Sequence, residues 1–194
     1  MIKTTGFLLV FSCFVCLHGL GQSFMQSAGV TISVMHTNGT VDNGNQSLTF
    51  AFSNVTYFPK LSFAETENTS LSIGAPVSIG IGRSSNLSAD GSSGLYWGFD
   101  APMVLDFNIG AKSTRENEDK FGGYFGGGFG YSHSSWSFDG YSDFKANSYG
   151  PIIRGGVRFG FPSANLGMTI GLSYKIGLET EKFRTFGLAL LLDF

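Results

Sequence analysis

The chain has 194 residues, enough for one domain and short for two. Only 13% of the residues are charged and the net charge is -2, while aromatics reach 15%, with 20 Phe and 28 Gly. This balance excludes a disordered tail, a coiled coil and a nucleic-acid binder, and it does not suit a soluble α/β enzyme.

Residues 1–21 read as a cleaved secretory signal peptide, leaving one domain over 22–194. Lys3 supplies the positive start, Phe7 to Leu17 is apolar, and Gly19-Leu20-Gly21 offers small residues before cleavage at Gln22. The run is shorter than the roughly 20 apolar residues that a spanning helix needs. A lipoprotein anchored through Cys13 or Cys16 is the alternative, although Phe11 and Val15 fit that processing site poorly. Cleavage at Gly21 leaves no cysteine, hence no disulfide, thiol catalysis or thiolate metal site.

From Gln22 onward the pattern has period two, the signature of strands. A strand near 28–37 sets Val30, Ile32 and Val34 on one face. The next, near 47–64, begins with Leu48, Phe50 and Phe52 outward, then shifts phase to Val55, Tyr57, Leu61 and Phe63. That shift predicts a β-bulge at Ser53-Asn54. In 71–81 Leu71, Ile73, Ala75, Val77, Ile79 and Ile81 oppose Ser72, Gly74, Pro76, Ser78 and Gly80. In 95–110 every odd position from Leu95 to Ile109 is apolar, against Tyr96, Asp100, Pro102, Asp106 and Asn108 among the even ones. The segments 121–133, 151–161, 166–178 and 186–194 repeat the pattern, so eight strands are expected.

A soluble sandwich alternates as well. However, these apolar faces run for eleven or more residues in the clearest segments, whereas soluble strands average about five or six. The opposite faces are Gly- and Ser-rich with few, separated charges, which fits the crowded interior of a small barrel. The expected fold is therefore an all-β, eight-stranded antiparallel transmembrane barrel in up-and-down order, closed so that no edge is unpaired.

The chain resembles the small eight-stranded outer-membrane barrels of Gram-negative bacteria, the OmpA/OmpX type, over 27–194. The resemblance rests most specifically on the C-terminus, where Phe194 follows Leu192, Leu190, Leu188 and Phe186 at alternate positions. In that family the terminal strand is read by the barrel-assembly machinery, which implies this role for those five residues. The Gly/Phe-rich texture and the Gln22 start resemble barrels of Bacteroidetes-type bacteria. The resemblance further implies the cell outer membrane, with outer-membrane lipids as surroundings.

With both termini periplasmic, loops at 38–46, 83–94, 134–148 and 179–184 face outward, and turns at 65–69, 111–120 and 162–165 face the periplasm. The charged turn from Lys112 to Lys120 reads as solvated, or else as a docking site for a periplasmic partner. The inward set holds Asp100, Asp106, Arg154, Arg158 and Lys175, with Tyr96, Asn108 and Tyr124. Eight strands leave room only for side chains, and opposite charges there should pair. A plugged lumen is expected; a gated ion path is the competing reading. Pro76 and Pro102 both point inward at mid-strand, symmetric about the 83–94 loop, and lack the N–H of the ladder. They read as a pair of bulges, or as a lateral opening or contact seam.

His133-Ser134-Ser135 resembles the His-x-Ser element of outer-membrane lipid A deacylases, but the matching glutamate is absent. No catalytic constellation, cofactor motif or metal-ligand cluster stands out, since His36 and His133 lie far apart in sequence. Three functions are expected to compete: a structural barrel or accessory subunit of a larger outer-membrane complex, a surface protein binding ligands through its outer loops, and a lipid A-modifying hydrolase.

Overall fold

In the computed structural model, residues 23–41, 44–84, 95–138, 141–179 and 183–194 are described. They form β1 (Ser23–Val41), β2 (Gly44–Phe63), β3 (Thr69–Gly74), β4 (Val77–Ser84), β5 (Leu95–Gly110), β6 (Phe121–Phe138), β7 (Tyr141–Phe161), β8 (Leu166–Ile176) and β9 (Arg184–Asp193). A short 3-10 turn at Pro162–Ala164 joins β7 to β8. The predicted signal peptide lies outside the described residues.

β3 and β4 are two halves of one span, because each pairs antiparallel with both β2 and β5. The remaining strands pair antiparallel with their neighbours in sequence. β9 closes onto β1, from Ser27↔Asp193 to His36↔Arg184. Nine segments therefore make eight spans and a closed wall with no free edge.

Burial is inverted relative to a soluble protein. Phe121 is 72% exposed and Ile153 66%, whereas Arg158 is 1% and Asp106 0%. Phe186, Leu188, Leu190, Leu192 and Phe194 all face outward from β9 and the residue after it. An apolar outer wall around a polar interior suits hydrocarbon outside and hydrogen bonds within.

Three expectations need correction. The β1–β2 register runs without a shift from Ser23↔Ser62 to Val41↔Gly44, so there is no bulge at Ser53-Asn54. The phase of Val55 and Tyr57 simply continues upstream, which turns Phe52 inward. Gly82 and Gly98 make room for its ring: a Cβ on either would come within 2.8 or 3.2 Å of it. Nor do Pro76 and Pro102 form bulges. Gly74↔Val104 below the break and Ser78↔Asp100 above it belong to one register, which sets the two prolines opposite each other. Finally, 38–46 and 134–148 are not open loops, since pairing continues through Asn38↔Ser47 and Ser135↔Lys145. Ladder bonds do not require apolar side chains, so the strands outlast the hydrophobic alternation. Residues 85–94 and 180–182 of the other two predicted outer loops lie outside the described residues.

Candidate functional site

The lumen holds the charged side chains. The start of β1 and the end of β9 lie at one mouth, where Gln26 and Phe194 exchange backbone bonds of 3.2 and 2.9 Å. Just inside this terminal mouth Asp193 is the hub. Lys60 Nζ lies 3.3 Å from its Oδ1, while Ser27 and Thr169 each donate a 2.5 Å hydrogen bond to the carboxylate. All four side chains are buried. Charge-assisted bonds of this kind offset the desolvation that burial imposes on a carboxylate.

The next tier contains Asp106 and Arg154, whose Nε sits 3.6 Å from Oδ1. That separation exceeds hydrogen-bond distance, so the contact is a Coulombic pair. The guanidinium also stacks at 4.6 Å over Phe58 and 4.9 Å over Tyr124, and Arg158 lies 4.8 Å over the same Tyr124 ring. These faces add cation–π attraction where water is scarce. Nearer the hairpin end, Lys175 Nζ stands 3.3 Å from Asp100 Oδ1, and Ser132 bridges the two by bonding both. Between the tiers, Thr56 bonds Thr31 at 2.7 Å and Ser78 at 2.8 Å.

Thus the structure brings Asp106 to Arg154 and Asp100 to Lys175. Arg158 is placed differently: its Nη1 donates to the Lys112 carbonyl at 3.1 Å. Asn108 Nδ2 donates to Ser72 Oγ at 3.0 Å. Lys60 and Asp193 were not in the predicted network. The outward phase of Leu61 already implied that Lys60 points inward, but its partner lies 133 residues away.

The turn after β5 also departs from expectation. Its charges predict a solvated turn or a docking site, yet Ala111, Lys112, Ser113 and Thr114 are buried and only the following residues are largely exposed. Gly110 and Lys112 adopt φ of +68 and +53, a conformation glycine takes without penalty, and this folds the turn into the terminal mouth. Ser70 Oγ donates to the Ser113 carbonyl, and Lys112 Nζ donates to Asn165 O and Oδ1 at 3.1 and 2.8 Å. Burial lowers the pKa of the Lys112 ammonium, partly countered by the charge of Asp193.

Inward glycines set the space. A Cβ on Gly171 would collide with the Tyr124 hydroxyl, one on Gly156 would lie 2.8 Å from Tyr124 Cε1, and one on Gly126 would collide with Asp106. Glycines on β6, β7 and β8 therefore make room for Tyr124 of β6 and Asp106 of β5.

On the outer wall near the hairpin end, His133 Nδ1 lies 2.8 Å from Asn147 Oδ1, which also accepts from Tyr131 at 2.8 Å. In a Ser–His pair a carboxylate orients that nitrogen. Ser135, the serine of the His-x-Ser element, shares the outer face with His133 by strand alternation, and the buried Ser134 between them faces the lumen. Replacing His133 with Ala is expected to leave lipid A unchanged by mass spectrometry; altered acylation would point to catalysis.

A closed eight-span antiparallel wall, apolar outside and ion-paired inside, is the architecture of an outer-membrane β-barrel, and this chain is built for the outer membrane. No family model matches the sequence, and comparison with curated proteins returns no match. Solved structures do match the fold. OprG of Pseudomonas aeruginosa superimposes with a TM-score of 0.51 at 12% identity, over 90% of this chain and 96% of that one. Ail of Yersinia pestis, the attachment invasion locus protein solved with the heparin analogue sucrose octasulfate, gives 0.50 at 12% identity, over 90% and 99%.

Proposed function

We propose that the protein is a non-enzymatic barrel of the OmpA/OmpX type with a plugged lumen, acting structurally or as an accessory subunit of a larger outer-membrane complex. The observation that carries this reading is the burial of 111–114 in the terminal mouth, below the ion-paired tiers. A barrel closed along its axis has its outer wall, hairpins and terminal face left for work. On this reading the terminal mouth is periplasmic and the cell is Gram-negative, of the Bacteroidetes type. The five alternating residues ending at Phe194 serve the barrel-assembly machinery during insertion.

Gentle detergent extraction of the native membrane, followed by native mass determination, tests the subunit role. A stoichiometric assembly with a second outer-membrane protein is the expected result; a solitary barrel with the mass of one processed chain plus detergent would contradict it. A second reading, ligand binding at the cell surface, has one observation in its favour: β6 and β7 remain paired out to Phe138↔Tyr141, a hairpin extending past the apolar alternation. The heparin analogue bound by Ail does not transfer readily, because 134–148 holds two Asp and one Lys and offers no basic patch to a polyanion.

A further inference from the structure

The wall has a weak point at the middle of its apolar belt. In an antiparallel ladder, alternate residues of a strand bond to alternate neighbours. Ala75 N donates to Pro59 O at 3.2 Å, so the Ala75–Pro59 pair bonds toward β2. Residue 76 then bonds toward β5, where the register sets Pro102 opposite it. These two pairs would exchange four ladder bonds. Proline has no N–H, and Pro59, Pro76 and Pro102 remove three of the four donors. The span between β2 and β5 is held at this level by one bond, and three carbonyls lack a ladder donor where hydrocarbon offers none. Outside, strand alternation sets Ala75 and Ala101 at this level, beside Pro59, Val77 and the exposed Met103.

Behind this seam the lumen changes character. Phe58, Val104, Ile152 and Leu191 form a buried apolar cluster, with the Phe58 ring against the Arg154 guanidinium. A cavity of about 60 Å³ adjoins it, lined by Pro76, Pro102, Ile152 and Leu191 and also by the charged Asp100 and Arg154. That volume admits a chain end and not a whole lipid.

We propose that this seam is a lateral entry through which the end of a lipid acyl chain reaches the apolar cluster inside the barrel. The occupant follows from position and chemistry. The seam lies halfway along the apolar outer face of its span, between Ile73 and Ile79, so acyl-chain ends are what adjoin it in a bilayer. Parting the strands there breaks one ladder bond instead of four, and the Phe58–Val104–Ile152–Leu191 cluster offers apolar contact behind. Axial closure by 111–114 and lateral entry are independent, so either can fail without the other.

The test is photolabelling of the folded chain in phosphatidylethanolamine vesicles whose acyl chains carry a diazirine at their ends, with labelled residues mapped by mass spectrometry. Outer-wall residues such as Phe125 and Ile153 are labelled in any case. The expected result is additional labelling of Ile152 or Leu191, lost in a Pro76→Val, Pro102→Val variant that restores two N–H donors, with outer-wall labelling retained. Wild-type labelling confined to the outer wall would overturn the proposal without reference to any variant. Lumen labelling that persists in the folded variant would overturn the seam as the route. Should the double variant not fold, Pro102→Val alone serves, with the same two outcomes.

Discussion

Replacing Asp193 with Ala is expected to destabilise the barrel by about 3–5 kcal/mol, the scale for removing one partner of a buried ion pair. The carboxylate gathers Lys60, Ser27 and Thr169 within hydrogen-bond reach. Without it, the Lys60 ammonium is left buried with no counter-charge, and Arg158 loses a nearby one. The loss should fall on stability before function, because these residues join β1, β2, β8 and the closing strand β9. Urea unfolding of the chain reconstituted in vesicles measures it. A second substitution, Lys60→Met, should recover part of the loss, since it removes the orphaned charge and leaves an apolar side chain beside Phe58. An Asp193→Ala barrel as stable as wild type would show that the hub contributes nothing.

Gly171→Leu carries the second large effect. Its side chain would enter the space of the Tyr124 hydroxyl, and Tyr124 cannot retreat without losing its stacking against Arg154 and Arg158. Overpacking of a filled interior costs about 1–3 kcal/mol, and the disturbed guanidinium contacts place this substitution at the upper end. The compensating change is Tyr124→Ala, which returns volume to the new leucine. The double variant should unfold at a higher urea concentration than Gly171→Leu alone; no recovery would mean that the glycine serves the backbone and not the tyrosine.

Most of the wall was legible in the sequence because a lipid-facing strand must alternate, and alternation is local. All eight spans follow from it, including the interrupted one. Features that depend on distant strands were not. Phe52 sits in a run that reads outward with Leu48 and Phe50, and only Gly82 and Gly98, on two other strands, give its ring a place inside. The ion-pair partners Arg154–Asp106 and Lys175–Asp100 were visible as an inward set, but the choice of partner depends on stagger across the lumen. Asp193 falls on the inward phase of the last strand, but Lys60 comes beside it only when that strand closes on the first. The charged turn misled for a related reason. Its composition is that of a solvated loop, and the burial of 111–114 follows from backbone turns at Gly110 and Lys112 and from an open mouth to receive them.

The central claim is a transmembrane barrel closed along its axis. Its most direct test is the conductance of the purified, folded chain in a planar lipid bilayer, with folding checked in the same preparation by the heat-dependent shift in gel mobility. Insertion without stable conductance is expected, because the 111–114 turn is buried in the terminal mouth and ion pairs cross the lumen behind it. A reproducible open channel from the folded protein would contradict it.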